Sequence, residues 1–207
     1  MRAILLSSLA ALSIIAASAP SFAGEVETGG VLLAPSGPVN VTNGGGNVNI
    51  AKGKFSVAGQ SVTTLGGTVL GRGRTITNGG NNRNIAAGAF SQAFQDTTTV
   101  GGSVIGRGTA LTNGGNNTNV ARGFMSTAQQ SVTTLGGTAF GHGLSVANGG
   151  LNTNVAAGKF SEADQQILTI GGTATNHGAS LVSGGANKNL ALGKGSFASQ
   201  EVVTAGQ

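Results

Sequence analysis

Apolar and polar residues alternate in this chain within short runs that glycine-rich turns separate. One run reads Asn-x-Asn-x-Ala-x-Gly and the next reads Ser-x-Ala-x-Gln. Alternate residues of a β-strand point to the same face, so a period of two predicts strands with one specified face. Because Asn-Gly-Gly, Gly-Gly and Gly-x-Gly turns bound these runs, we predict an all-β chain with about three to five short strands per unit.

The same runs return every 35 residues. The turn Asn43-Gly44-Gly45 recurs from Asn78, Asn113 and Asn148, and once more as Ser183-Gly184-Gly185. A fixed period of this size is typical of solenoids, in which each unit covers the hydrophobic face of its neighbour. We therefore predict a β-solenoid of about five stacked 35-residue coils over 39–207, with units at 39–73, 74–108, 109–143, 144–178 and 179–207.

One column of the repeat bears on the shape of a coil. It stays aliphatic although it lies between fixed polar positions, so we expect both faces of that strand to be buried. Burial of both faces favours a coil that folds back on itself, of which a Greek-key layer is one form, over an open triangle. The column consists of Ile50, Ile85, Val120, Val155 and Leu190.

Polar side chains are fixed in several columns. Identical amides stacked ~4.8 Å apart can hydrogen-bond along the solenoid axis, which satisfies polar groups that would be costly to bury alone. We predict structural ladders of three kinds. They are Asn49, Asn84, Asn119, Asn154 and Asn189; Gln60, Gln95, Gln130, Gln165 and Gln200; and Ser56, Ser91, Ser126, Ser161 and Ser196.

Charged columns are expected on the surface. Two like charges ~4.8 Å apart repel by roughly 0.9 kcal/mol in water and by more when buried. The column with Lys54, Lys159 and Lys194 must therefore face solvent. So must a second column, which we single out as a surface-contact candidate: Arg72, Arg107, His142 and His177.

The first 23 residues have the features of a secretory signal peptide. Arg2 precedes an apolar run of small residues, and Ser21-Phe22-Ala23 supplies a cleavage site. The segment 24–38 then looks like a partial N-terminal repeat or cap, because Thr28-Gly29-Gly30 and the following residues resemble the segment that begins at Leu65. We predict a secreted protein, extracellular or on the cell surface, that passes through outer-membrane export machinery.

Composition narrows the class of function. The chain has 38 Gly, no Cys and a formal charge of +5, or +4 without Arg2. An exported chain without disulfides must rely on backbone ladders and close packing. A mildly basic surface favours anionic partners such as polysaccharide or extracellular DNA, although simple solubility explains the charge as well.

The carboxylates and histidines of the sequence give little support for a catalytic site. None of the carboxylates repeats as a column, and Glu162 with Asp164, on one face of a strand, reads best as a solvated pair. His142 and His177 would lie close together but lack a third ligand for zinc. We predict no catalytic, cofactor or metal site and no small-molecule substrate. An apolar column is expected to pack in the core or at an interface: Phe55, Phe90, Met125 and Phe160.

Two resemblances follow from these motifs. Asn47-Val48-Asn49-Ile50-Ala51-Lys52-Gly53 and Asn154-Val155-Ala156-Ala157-Gly158, each with a downstream Gln, resemble the repeats of Fap-type functional amyloid subunits, and the ladders are similar to those of curlins. Those families imply secreted subunits that polymerise into biofilm fibres. Gly136-Gly137-Thr138-Ala139 and Gly171-Gly172-Thr173-Ala174 resemble passenger repeats of AIDA-type autotransporter adhesins, which are also β-solenoids.

The sequence thus favours a self-assembling fibre subunit whose last coil exposes open backbone edges. A monomeric solenoid adhesin that binds glycan or a surface is the alternative. An enzyme acting on polysaccharide is a distant third, because clustered catalytic carboxylates are not found.

Overall fold

The computed structural model describes residues 21–28, 31–33 and 39–206, and every regular element in those ranges is a β-strand. The predicted all-β solenoid of about five coils is confirmed. The strands are β1 (Ser21–Thr28), β2 (Val31–Leu33), β3 (Val39–Asn43), β4 (Gly46–Lys52), β5 (Val57–Leu65), β6 (Thr68–Asn78), β7 (Asn81–Ala87), β8 (Gln92–Val100), β9 (Ser103–Asn113), β10 (Asn116–Arg122), β11 (Thr127–Leu135), β12 (Thr138–Phe140), β13 (Leu144–Asn148), β14 (Leu151–Ala157), β15 (Glu162–Ile170), β16 (Ala174–Thr175), β17 (Ala179–Ser183), β18 (Ala186–Leu192) and β19 (Phe197–Ala205).

These strands form three parallel sheets that run the length of the stack. Sheet A has the order β4-β7-β10-β14-β18, and sheet B has the order β1-β5-β8-β11-β15-β19. Sheet C contains β6 and β9 at its centre, with the shorter strands β2, β3, β12, β13, β16 and β17 beside them. From β4 onward each residue pairs with the residue 35 positions away, as Asn84 does with Asn119. The repeat period is therefore the register of the sheets.

One coil folds into two layers. Sheet A packs against sheet B, since the side chain of Asn84 donates to the carbonyl of Ala58 at 3.1 Å. In each coil, sheet C has a first arm before its bend, such as β12, and a second arm after it, such as β13. The second arm folds back on the Gly-Gly turn that precedes the first arm, where Ser145 donates to the carbonyl of Gly137 at 2.7 Å. Each coil thus returns on itself at two arches, at opposite ends of the layers.

Each arch has a distinct composition. We call the bend within sheet C the basic arch; it comprises 71–73, 106–108, 141–143 and 176–178. Its first glycine has a positive φ in three coils, 98° at Gly71, for example, which a residue with a side chain rarely adopts. We call the link from sheet A to sheet B the aromatic arch; it comprises 53–56, 88–91, 123–126, 158–161 and 193–196.

The expectation that the aliphatic column of sheet A is covered on its outer face is wrong. Ile50, Ile85 and Val155 are half-buried. Val120 is the one member of the column that is buried, with 9% of its surface exposed. They shield one another along the column, and no further strand of the described chain covers them. The coil is consequently a two-layered arch and not a Greek-key layer.

The interior is narrow because small residues line it. Alanines of sheets A and B form one continuous core cluster along the axis, from Ala51 and Ala58 to Ala156 and Ala163. Val69, Val104 and Ala110 form a second cluster between the arms of sheet C. Since Ala leaves the layers close together, side-chain amides can reach carbonyls of the opposite layer.

The N-terminal strands extend the stack. Strand β1 pairs with β5 with Thr28 opposite Leu65, and β2 pairs with β6 with Val31 opposite Thr68. This register is the alignment on which the partial N-terminal repeat was predicted. Most of the predicted signal peptide, residues 1–20, lies outside the described residues, as do 29–30 and 34–38.

Candidate assembly interface

The Asn49 column is a hydrogen-bonded ladder that also joins the two layers. Asn119 donates to Oδ1 of Asn154 at 2.9 Å, and it also donates across the coil to the carbonyls of Ala93 at 3.0 Å and Gln129 at 2.8 Å. Asn154 repeats this arrangement with Asn189 one coil later. These amides therefore hold successive coils together and hold sheet A against sheet B.

A second asparagine column fixes the Gly-Gly turns. Asn82 donates to the carbonyl of Gly79 at 2.9 Å and to Oδ1 of Asn117 at 2.8 Å. Asn47, Asn117 and Asn152 do the same in their own coils. The run Asn-x-Asn-x-Ala-x-Gly contains this column as its first asparagine, and the three predicted ladders do not include it. Its spacing of three residues from the turn glycine is the signal that could have identified it.

The glutamine ladder is hydrogen-bonded from Gln95 to Gln200 and is interrupted between Gln60 and Gln95. Gln130 donates to Gln95 at 2.9 Å, Gln165 to Gln130 at 2.6 Å and Gln200 to Gln165 at 2.9 Å. Gln60 is only 4% exposed, yet neither its side-chain nitrogen nor its oxygen has a partner, and Nε2 of Gln95 beside it is unpaired as well. A buried amide without hydrogen-bond partners lowers stability, so a hydrogen-bond partner for Gln60 is missing at this end of the ladder.

The serine column differs from the predicted side-chain ladder. Ser91 Oγ lies 2.6 Å from the carbonyl oxygens of both Gly88 and Arg122, which share its single hydrogen. Ser56 makes the equivalent bonds to Gly53 and Ala87. A hydroxyl is too short to reach the next serine, so in the first two coils it closes the aromatic arch and ties it to the neighbouring coil, whereas Ser161 Oγ has no partner.

The last coil exposes residues that earlier coils bury. Val202 of β19 is 43% exposed, whereas Ile167, its counterpart one coil earlier, is 2% exposed. Ala198, Gln200 and Thr204 are exposed in the same way. In the described part of the chain, β18 and β19 pair on one side only. This end therefore presents unpaired backbone and an uncovered core.

The first coil presents the complementary surface at the other end. Strand β4 pairs only with β7 among the described strands, and β3 pairs only with β6. Val39 and Val41 of β3 are 52% and 62% exposed. Sheet B differs here, because β1 covers the outer edge of β5.

The basic arch places the surface-contact column in solvent. Arg72 lies opposite Arg107 in the register, and all four members are exposed. The rings of His142 and His177 stack with their centres 5.3 Å apart and 13° between their planes. Within the described ranges no group of three His, Cys, Asp or Glu could hold a metal ion.

The aromatic arch carries an exposed ridge, so core packing of its apolar column is excluded and packing at an interface stays a prediction. Phe55 and Phe90 stack at 5.4 Å, and Phe124 contacts Phe160 edge-on at 5.9 Å. Phe55 is 72% exposed. Lys159 lies over the rings of Phe124 and Phe160 at 5.7 and 5.5 Å from their centres. The column lies in a turn, outside the strand alternation, which is why its side chains point outward.

Other candidate groups do not converge. Glu162 is exposed and Asp164 half-buried on the outer face of β15. The described residues include no helix with the length and apolar character that spanning a bilayer requires. The two open ends and the aromatic ridge are therefore the surfaces on which a function can be based.

Comparisons with models of protein families, with curated proteins and with solved structures gave no match to this chain. The resemblances to fibre subunits and to autotransporter passengers stay predictions.

Proposed function

We propose that the protein is a secreted structural subunit that stacks end to end into amyloid-like extracellular fibres of a biofilm matrix or cell surface. The exposed last coil carries this proposal. Val202 is 43% exposed at a position where the four preceding coils bury their residue. An open, in-register edge of this kind is a template for pairing with another chain, and native proteins usually block such edges.

The two ends match in their chemistry. At one end the ladders finish with Asn187, Asn189 and Gln200, and at the other end the same columns begin with Asn47, Asn49 and Gln60. A second copy added in register would continue each ladder across the junction and would bury apolar residues on both sides. Backbone pairing supplies affinity, and the columns supply the register.

Fibre growth should depend on the side chains of β19 that face the interior of the coil, and not on those that face outward. Val202 and Val203 are each 43% exposed and adjacent, but Val202 continues a buried column whereas Val203 continues a half-buried outer one. They are therefore a matched pair for substitution.

The test uses the mature chain, predicted as residues 24–207, diluted from denaturant and examined by electron microscopy. The wild type and Val203→Lys should form unbranched fibres, while Val202→Lys should remain monomeric because it would bury a lysine at the junction. A wild type that stays monomeric and β-rich would overturn the proposal. So would fibres of Val202→Lys that grow as fast as those of Val203→Lys.

The aromatic ridge favours a second candidate, a solenoid adhesin that binds glycan. Exposed rings such as Phe90 and Phe160, with Lys159 beside them, offer stacking faces next to a positive charge. An anionic polysaccharide such as polygalacturonate is the matching probe. Binding by monomers that Phe90→Ala/Phe160→Ala abolishes, and that Leu111→Ala on another exposed face leaves intact, would support this function.

A further inference from the structure

Strand β1 adds a rung to sheet B that the other two sheets lack. Sheet A contains five rungs, and sheet C also contains five when the two arms of each bent strand are counted together. Sheet B contains six, because β1 lies beyond β5. The end of the stack at the first coil is therefore uneven.

This extra rung conflicts with in-register stacking of two copies. If β4 of a second copy pairs with β18 of the first, β5 of the second copy becomes the next rung of sheet B after β19. The edge of β5 that would face β19 is the edge that β1 covers, because β8 occupies the other edge. Thus β1 of one copy and β19 of another compete for one position.

The two strands fit that position in the same register. Ser21 of β1 lies opposite Ala58 and Thr28 lies opposite Leu65. Through the successive pairings of sheet B, Ala198 and Ala205 of β19 belong to the same two columns. Either strand can therefore pair with β5 along its length.

β19 matches the columns better than β1. The register places two acidic residues of β1 in columns whose members in the first four coils are aliphatic residues or threonine. At the same positions β19 has an aliphatic residue and a threonine, as β5 does. The pairs are Glu25 opposite Val62, a column that contains Val202, and Glu27 opposite Thr64, a column that contains Thr204.

The unfinished glutamine ladder points to the same exchange. Gln60, whose buried amide has no partner, lies opposite Ala23 of β1. In β19 the equivalent residue is Gln200, which already bonds to Gln165 on its other side. Replacement of β1 by β19 would place the amide of Gln200 beside Gln60, whose own amide has no partner.

We infer that β1 is a displaceable strand that covers the assembly edge of β5, and that β19 of a second copy replaces it when fibres form. The partner of this edge is a second copy of this chain, so the inference rests on the proposed function. The predicted cleavage after Ala23 falls within β1 and would leave only Gly24–Thr28 paired with Ser61–Leu65, which makes displacement easier.

Engineered disulfides test this replacement directly, since the chain has no cysteine. Neighbouring in-register residues lie ~4.8 Å apart, within the Cα range of a disulfide. In T63C/V203C the two positions are four rungs apart within one copy, ~19 Å, so only a junction between copies can join them. Oxidised fibres of T63C/V203C should give a ladder of covalent oligomers, and fibres of either single variant should give dimers at most.

A second variant locks β1 in place. Val26 lies opposite Thr63, so oxidised V26C/T63C should hold β1 on β5 and stop elongation, and a reductant should restore it. E25V/E27T gives β1 the residue types that β5 and β19 have in these columns, so it should slow elongation by about tenfold or more. V26T, at the intervening position, should grow at the wild-type rate.

The outcomes separate the two claims. Wild-type fibres together with undiminished growth of oxidised V26C/T63C, or with no covalent oligomers from T63C/V203C, would overturn strand replacement and leave end-to-end stacking intact. If the wild type and reduced V26C/T63C both form no fibres, stacking fails and strand replacement fails with it.

Discussion

The side-chain amide of Asn119 donates to Oδ1 of Asn154, 35 residues further along the chain, at 2.9 Å. The same nitrogen donates to two carbonyls of the facing sheet. One buried side chain thus sets both the register between coils and the distance between layers. Stability in this chain, which has no disulfides, depends on such contacts.

Removal of this amide should be costly. Asn119→Ala leaves the carbonyls of Ala93 and Gln129 without this donor and removes the acceptor of Asn84. We expect the free energy of unfolding to fall by about 3 kcal/mol, since each unpaired buried group costs ~1–3 kcal/mol. Urea denaturation followed by circular dichroism measures this change.

Asn116→Ala is the matched control, because Asn116 bonds to Asn81 on the exposed face of the same strand. Its effect should stay within about 0.5 kcal/mol. Equal losses for both variants would contradict the structural role of the inward ladder.

Close approach of the coils at the aromatic arch should exclude any side chain at one glycine. A Cβ on Gly123 would lie 1.6 Å from the carbonyl oxygen of Gly88, which is backbone and cannot move aside. Gly123→Ala should lower the free energy of unfolding by about 3 kcal/mol or more. At Gly46 a Cβ would meet nothing within 4 Å, so Gly46→Ala should have little effect. Similar midpoints in thermal unfolding would contradict this packing.

The aromatic ridge should contribute little to folding. Phe55 is 72% exposed and stacks only on Phe90, so Phe55→Ala should cost about 1 kcal/mol. Ile167 is 2% exposed, and Ile167→Ala should cost about 2–4 kcal/mol. A loss at Phe55 as large as that at Ile167, measured by urea denaturation, would mean that the ridge is part of the core.

Much of the fold could be predicted from the sequence because the repeat is regular. Identical residues 35 positions apart fix the register, as Asn84 opposite Asn119 illustrates. The strand boundaries follow from the Gly-Gly turns. Column patterns report which positions are restrained, however, and not what restrains them. The aliphatic column with Ile50 is restrained by packing along the axis, and not by a strand that covers its outer face.

The structural features that the sequence did not predict lie in the arches and at the ends of the stack. Phe55 is apolar and nearly constant in its column, yet it is exposed, because a turn does not follow the alternation of a strand. The unpaired amide of Gln60 could not be foreseen, since every glutamine of the column looks alike in sequence. Only the sheet order shows that Gln60 is at the edge that β1 covers.

The spacing of subunits along the fibre tests end-to-end stacking most directly. Scanning transmission electron microscopy of unbranched fibres gives mass per length, and diffraction from aligned fibres gives the rung spacing. Five rungs of ~4.8 Å predict one subunit per ~24 Å, with a meridional reflection at ~4.8 Å. A subunit spacing unrelated to a whole number of rungs, or fibres without that reflection, would contradict assembly by stacking of coils.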